Sequence, residues 1–447
     1  MKSKALALIL LAAAMLMLAA CQNGGNNTQT SGASGTPSNG NASESGSAGK
    51  DVELRFAWWG SEDRHTATLE AIKIFEDKNP GIRILPEYSG FDGYETKLQA
   101  QIAGNSVPDI FQSTSTINSR LGADNLLTLD GKVDTSGLDD AILAAQSIGG
   151  KTNGIYIGLY TEAYAYNKTL LDELGVAPPT SPYTWDDLAA KFKEVADKSG
   201  GKVYGAVDSS VAFDEFTYFG PAALDARDPF PNSIDAYTFT EDQIKAYYQY
   251  WADLRQAGAV APPDLSATSD DSANSLLVTR RAAFVPIASS SFSRFQSQTK
   301  DQLEMIIMPQ NGDNGRSVKP GASQILSVGA KTKHADAAAK FIDFFINDPD
   351  AAAVLKTTRG VLPTQAQRDA MLADPNLADE DKKNIAILGE AAKLEGNVTL
   401  PPPAGEQVLG WKGMIEKVGQ EIAFDKISVE EGAKKLKEQA YASVSAQ

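Results

Sequence analysis

A single cysteine, Cys21, and two histidines, His65 and His334, are all the thiol and imidazole that 447 residues carry. An internal disulfide is therefore impossible. Neither histidine has the spacing of a metal ligand or a triad partner, and a His/Cys metal cluster lacks its residues. Basic charge is also short: 41 Lys and Arg stand against 57 Asp and Glu, a net charge of −16. A nucleic-acid or anionic-membrane partner would call for a basic face, so neither is expected, and the acidity is read as keeping the chain soluble. Past Cys21 no apolar run is long enough to cross a bilayer, which takes about 20 residues. No Gly-x-Ser-x-Gly, His-Glu-x-x-His or phosphate-binding loop is present, and nothing repeats. These gaps leave no cofactor to expect.

What is present begins with Lys2 and Lys4 ahead of an apolar run from Ala5 to Ala20 that stops at Cys21. A charged start and a short apolar stretch are the marks of a signal peptide over 1–20. Leu18-Ala19-Ala20-Cys21 puts small side chains where a cleaving peptidase must accommodate them. It resembles a bacterial lipobox, whose cysteine is diacylated, with palmitate-type chains, and becomes the mature N-terminus. Two acyl chains are the number needed for stable anchoring. Gln22 to Lys50 is almost entirely Gln, Asn, Gly, Ser, Thr and Ala, so residues 21–50 form a lipidated cysteine and a disordered tether. Such a tether reaches on the order of 30 Å on average.

The rest, 51–447, is too long for one comfortable core and suggests two lobes. Val52, Leu54 and Phe56 alternate with polar residues as in a strand, which ends in Trp58-Trp59-Gly60. Leu69, Ile72 and Phe75 recur at helical spacing until Asn79-Pro80-Gly81, and Ile82 to Leu85 starts a second strand. Tyr94, Leu98 and Ile102 mark another helix closed by Gly104, followed by a strand over Val107 to Gln112. Thr184 and Thr240 cap two further helices, and Val203 to Val207 and Ala282 to Ile287 read as strands, with Pro286 at an end or edge. Phe341, Ile342, Phe344 and Phe345 must be core. The alternation predicts an α/β protein with a largely parallel sheet.

Trp58-Trp59-Gly60-Ser-Glu-Asp-Arg64-His65, Phe75-Glu-Asp-Lys-Asn-Pro80-Gly81, Val107-Pro108-Asp109-Ile110, Tyr166-Asn167-Lys168 and Thr184-Trp185 occur in order along the chain. Ala338 to Phe344 and Arg359-Gly360-Val361-Leu362-Pro363 continue the series. In this order, behind a lipobox and a tether, they resemble the family 1 extracellular solute-binding proteins, the carbohydrate receptors of ABC importers, similar in layout to maltose-binding protein. The resemblance implies a two-lobed periplasmic-binding-protein-like fold with the ligand in a cleft between lobes joined by hinge crossings. Carried over, it puts residues 51–161 plus 321–362 in lobe 1 and 162–320 plus 363–447 in lobe 2. It also implies ABC permease subunits as partners, a monomer, and membrane contact through the lipid anchor alone.

A sugar offers apolar C–H faces and a belt of hydroxyls, so its site needs aromatic platforms beside groups that both donate and accept. Open sheets bind ligands beyond the carboxyl ends of their strands. Trp59 is the favoured platform, with Trp58 as core, and Gly60, Glu62 and Arg64 follow. Gln112 and Ser113 end the third strand as hydroxyl partners or as a plain loop cap. Tyr160 and Glu162 lie near the proposed crossing. Asp208 and Ser209 end a second-lobe strand, Asp214 falls in an acidic, aromatic loop, and Ser290 and Phe292 follow the strand ending at Ile287. The family places an aromatic sugar contact there, and here it is Phe rather than Trp. Arg359 and Lys319 flank the second passage, and with Arg64 they leave room for an acidic sugar. Trp185, Trp251 and Trp411 sit in helical patterns and are read as core.

The expectation is therefore an extracytoplasmic, membrane-anchored receptor that captures a sugar or oligosaccharide and catalyses nothing. A receptor of the same architecture for a peptide or polyamine is the nearer rival. A lipoprotein glycosidase, which would need two carboxylates across the sugar, is the more distant one.

Overall fold

The computed structural model describes residues 51–212, 240–269, 273–310, 320–394 and 413–445. The signal segment, Cys21, the tether, Asp214, Lys319 and Trp411 lie outside the described residues.

Strand β1 (Val52–Trp59) and helix α1 (Glu62–Lys78) lead to β2 (Ile82–Ser89), α2 (Tyr94–Ala103) and β3 (Ile110–Ser113). A small hairpin, β4 (Ser147–Ile148) and β5 (Lys151–Thr152), precedes β6 (Ile155–Tyr160) and β7 (Glu162–Asn167). Helix α3 (Trp185–Lys198), β8 (Tyr204–Ala206), α4 (Glu241–Gln256), β9 (Ala282–Ala288), α5 (Phe292–Ser297), β10 (Leu303–Ile307) and β11 (Gly321–Val328) follow. Four helices dominate the remainder: α6 (Ala335–Asn347), α7 (Asp379–Ala392), α8 (Met414–Ala423) and α9 (Val429–Ser445).

Two main sheets result. The first is five-stranded in the order β2-β1-β3-β11-β6, and the second four-stranded in the order β10-β7-β9-β8. Both are mixed, which corrects the expectation of a largely parallel sheet. β1 pairs in parallel with β2 and β3, but β11 runs antiparallel to both β3 and β6. β11 enters the first sheet after the chain has crossed into the second and come back, so it arrives from the opposite direction. In the second sheet only β8 and β9 are parallel.

Each sheet has its own apolar core. Around the first, Phe56, Phe75, Phe341, Ile342 and Phe345 interlock, with the Phe75 and Phe341 rings edge to face at 5.0 Å. Around the second, Tyr164, Trp185, Phe192, Trp251 and Phe284 gather residues from α3, α4, β7 and β9, and Ile415, Val418 and Leu436 of α8 and α9 close it. Both expected threonine caps form full capping boxes, Thr184 with Asp187 and Thr240 with Gln243, satisfying two end N–H groups each. Pro286 sits inside β9, where β8 pairs only with Ala282 and Phe284, so the missing N–H falls beyond the end of that ladder.

The chain passes between the sheets at Thr161, which alone separates β6 from β7. Thr161 is pinned reciprocally: its N–H donates to Ser289 Oγ at 3.2 Å, and the Ser289 N–H donates to the Thr161 carbonyl at 2.9 Å. Met371 and Leu377 pack into the first core, although the sequence layout put everything after 362 in lobe 2. Helix α7 is shared, with Leu388 in the first core and Ile387 and Ala391 against Ala163 and Ile307 of the second sheet.

Candidate functional site

β1, β2, β3 and β6 run in the same sense, so their carboxyl ends lie along one side of the first sheet, the side on which α1 begins and on which Thr161 is bonded to Ser289 after β9. Trp58 and Trp59 leave β1 on opposite faces, as pleating requires. Trp58 is fully buried in the first core, its Nε1 donating to His65 Nδ1 at 3.1 Å. That bond needs a neutral imidazole, and the His65 pKa is lowered: burial is the largest cause, Glu62 opposes it, and the charges of Arg359 and Arg64 add to it.

Trp59 is not the open platform expected of it. It is 6% exposed and belongs to a third apolar cluster, tilted on Tyr94 at 4.9 Å. A residue at a strand end still faces a helix layer when the sheet is covered on both sides, and α2 covers this one. The exposed aromatics near this edge are instead Tyr88, 45% exposed, and Phe91, 52% exposed. Tyr88 stacks on Trp58 at 4.9 Å, and Phe91 stands edge-on to Trp59 at 5.7 Å. The rule that selected the two tryptophans, aromatics at the end of a strand, selects these as well when applied to β2.

Gln112 and Ser113 are wholly buried and belong to the scaffold. Gln112 Nε2 donates to the Trp59 carbonyl at 3.3 Å, and its Oε1 accepts from Arg359 Nε at 2.9 Å. Ser113 shares a hydrogen bond with Ser327 at 3.1 Å. Tyr94 donates to the Gln112 carbonyl at 2.7 Å, and burial holds its phenol far above its ordinary pKa. Asp208 is an ion-pair partner rather than a ligand group, accepting from Arg255 Nη1 at 2.7 Å with its side chain 2% exposed. Ser209 is buried and its carbonyl accepts from the Tyr247 hydroxyl at 2.7 Å. Phe292 is fully buried among Val285, Ile287 and Leu303, so the aromatic contact carried over to it does not face a cleft.

Gly60, Glu62, Arg64, Tyr160 and Ser290 keep access to solvent, and Glu162 is buried at the start of β7. Gly60 is required by contact, since a Cβ there would lie 2.5 Å from Arg64 Cδ. Arg64 donates from Nε to the Thr358 carbonyl at 2.8 Å and from Nη1 to the Trp59 carbonyl at 3.2 Å. Its pKa falls to about 10, through burial first and then the like charge of Arg294 on α5. Since α5 packs in the second body, charge from both bodies is felt at one place.

Arg359 is held behind this surface. Residues 159 and 361 exchange backbone hydrogen bonds of 2.7 and 2.8 Å, which fixes the Arg359-Gly360-Val361 strip against β6. Gly158 makes room for it, because a Cβ at 158 would lie 2.1 Å from the Arg359 carbonyl oxygen. Among the described residues no group of three or more His, Cys, Asp or Glu could hold a metal ion.

Two α/β bodies joined by a pinned crossing, with polar groups and half-exposed rings at their strand ends, define a two-lobed solute-binding protein. The model of the bacterial extracellular solute-binding proteins matches residues 70–383, and the chain belongs to that family. It is 30% identical over 132 residues, 29% of either chain, to the melibiose/raffinose/stachyose-binding protein MelE of Bacillus subtilis (strain 168). The match thus spans under a third of that relative's length. Among solved structures it is similar to a family 1 extracellular solute-binding protein of Alicyclobacillus acidocaldarius, 23% identical, with a TM-score of 0.67 over 89% of this chain and 99% of that one. A periplasmic oligogalacturonide-binding protein from Yersinia enterocolitica, in complex with saturated digalacturonic acid, is 22% identical with a TM-score of 0.75 over 88% and 99%. At these identities the likeness establishes the two-lobed fold.

Proposed function

We propose that this protein is a receptor lipoprotein, anchored through diacylated Cys21 outside the cytoplasm, that captures a sugar or short oligosaccharide between its lobes and delivers it unaltered to an ABC importer. The observation that carries this reading is that, in a solute-binding fold, half-exposed Tyr88 and Phe91 and the polar groups of Glu62, Arg64, Tyr160, Glu162 and Ser290 all fall at strand ends, just after them or at the Thr161 crossing. Rings cover the C–H faces of a pyranose and the polar groups take its hydroxyls. Relatives whose ligands are named bind saccharides, which supports the same class here. Closure of the two bodies about Thr161 completes both sets of contacts and buries the ligand. Lobe 1 is the body of the first sheet and lobe 2 that of the second, with α7 spanning both.

A thermal-shift screen over mono- and oligosaccharides tests the proposal, together with product analysis after incubation. Stabilisation by a saccharide that is recovered intact is the expected result. If every carbohydrate leaves the melting curve unmoved while a peptide or polyamine shifts it, or if the saccharide is cleaved, the proposal is wrong. Acyl labelling that persists in Cys21→Ser would refute the anchor.

A further inference from the structure

Three arginines of this chain with partly buried heads meet a carboxylate, while Arg368, on the far side of the Arg359 strip, meets only the Leu362 and Pro363 carbonyls and the Gln365 side chain. Arg55 meets Glu87 at 2.6 Å, Arg255 meets Asp208 at 2.7 Å, and Arg280 meets Asp301 at 2.9 Å. Two arginines at the strand ends of the first sheet do not. Arg359 is 3% exposed, donates Nε to Gln112 and Nη2 to Thr68 Oγ1 at 2.8 Å, and lies over the Phe345 ring at 5.4 Å. Its Nη1 is buried without a partner. Arg64 spends Nε and Nη1 on main-chain carbonyls. All of these partners are neutral, and among the described residues neither arginine forms an ion pair, in a chain with 16 more acids than bases.

An enclosed guanidinium without a counter-charge is costly, and it does not escape by losing its proton. Burial, and then the charge of Arg64, weaken the hold of Arg359 on that proton, so the two guanidinium groups feel each other. Arg294 adds its charge from the opposite body. Glu62 and Asp63 lie in the same first turn of α1 but are exposed and make no ion pair with Arg64. Three guanidinium charges therefore gather where the ligand is expected, with Glu62 and Glu162 near but in no ion pair with Arg64 or Arg359 among the described residues, and a planar guanidinium matches a planar carboxylate.

We propose that the saccharide taken by this site is acidic, carrying a uronic-acid carboxylate that Arg64 receives at its half-buried head, with Arg359 behind it supplying further positive charge. This rests on the saccharide-receptor reading and narrows it. The carboxylate supplies the counter-charge that the two arginines lack, so affinity depends on the acid as well as on the sugar ring.

The test is calorimetry on the full chain with uronate disaccharides of galacto, gluco and manno configuration, each beside its methyl ester and its neutral counterpart. One acid is expected to bind at least tenfold more tightly than its ester, with the preference shrinking as salt is raised. Arg64→Gln should bring acid and ester to the same affinity, and Arg64→Lys should keep part of the preference. Melts without sugar establish that both variants fold. Equal binding of acid and ester by the native protein, or an equal loss of both in Arg64→Gln, overturns the proposal. Binding of neutral sugars alone overturns it and leaves the receptor reading standing, whereas no binding by any saccharide overturns both.

Discussion

Replacing Trp59 or Phe91 by alanine should separate a ring that holds the first lobe together from a ring that meets the ligand. Trp59 is 6% exposed and packed on Tyr94 at 4.9 Å, so truncation removes nearly the whole indole from contact. That is on the order of 200 Å² of buried surface, or about 5 kcal/mol at ~25 cal/mol per Å². Because the unfolded chain already covers part of its apolar surface, and measured Trp→Ala changes fall at about 3–5 kcal/mol, a loss near 4 kcal/mol is expected. For a body of this size that lowers the melting temperature by roughly 10 °C. Phe91 is 52% exposed and touches Trp59 only edge-on, so its truncation should cost about 1 kcal/mol of stability. Stacking on a sugar would cover its open side, worth about 1.4 kcal/mol, so Phe91→Ala should weaken binding about tenfold. Thermal melts without sugar and calorimetry with the sugar found by screening measure both quantities. A Trp59→Ala protein melting within a few degrees of the native one, or a Phe91→Ala protein binding as tightly as native, would refute this division of labour.

Asp208→Ala should leave the largely buried Arg255 without its counter-ion and with only Ser210 Oγ among the described residues to donate to, costing about 3 kcal/mol in denaturant titration while sugar affinity stays unchanged, because the pair is structural. Gly158→Ala should force β6 away from the Arg359 carbonyl, destabilising by about 1–3 kcal/mol and weakening binding as Arg359 shifts. The lowered pKa of His65 sets the sign of a pH effect. The unfolded chain takes up a proton near pH 6.5 that the folded chain resists, so this contribution is complete above that pH and lost as pH falls. Melts from pH 7.5 to 5 should show the decline, and His65→Gln, which keeps an acceptor for Trp58, should flatten it.

Much of the layout was legible because local rules and tertiary packing agreed. Thr184 and Thr240 cap the helices that their capping boxes announce, and the alternation at Val52 to Phe56 is a strand because one face meets the core. The sheet's mixed direction was hidden, since the partner of β3 is a strand more than 200 residues later and its approach depends on an intervening lobe. The site was legible only as an address. Counting to a strand's end locates Trp59, Gln112 and Asp208, but whether each faces a cleft, a helix layer or a counter-ion depends on neighbours distant in sequence, such as Arg359 for Gln112 and Arg255 for Asp208. Phe91 lies two residues beyond β2, where neither its exposure nor its neighbour Trp59 on β1 can be read from local pattern.

Helix α7 places Leu388 in one core and its immediate neighbour Ile387 in the other. Consecutive residues of one helix thereby touch different cores, so any displacement of one body against the other has to remake the contacts on one flank of that helix. A clasp built this way would swing at the cost of one flank of the helix, so the side chains at 387 and 388 are where a change of opening angle would first be felt.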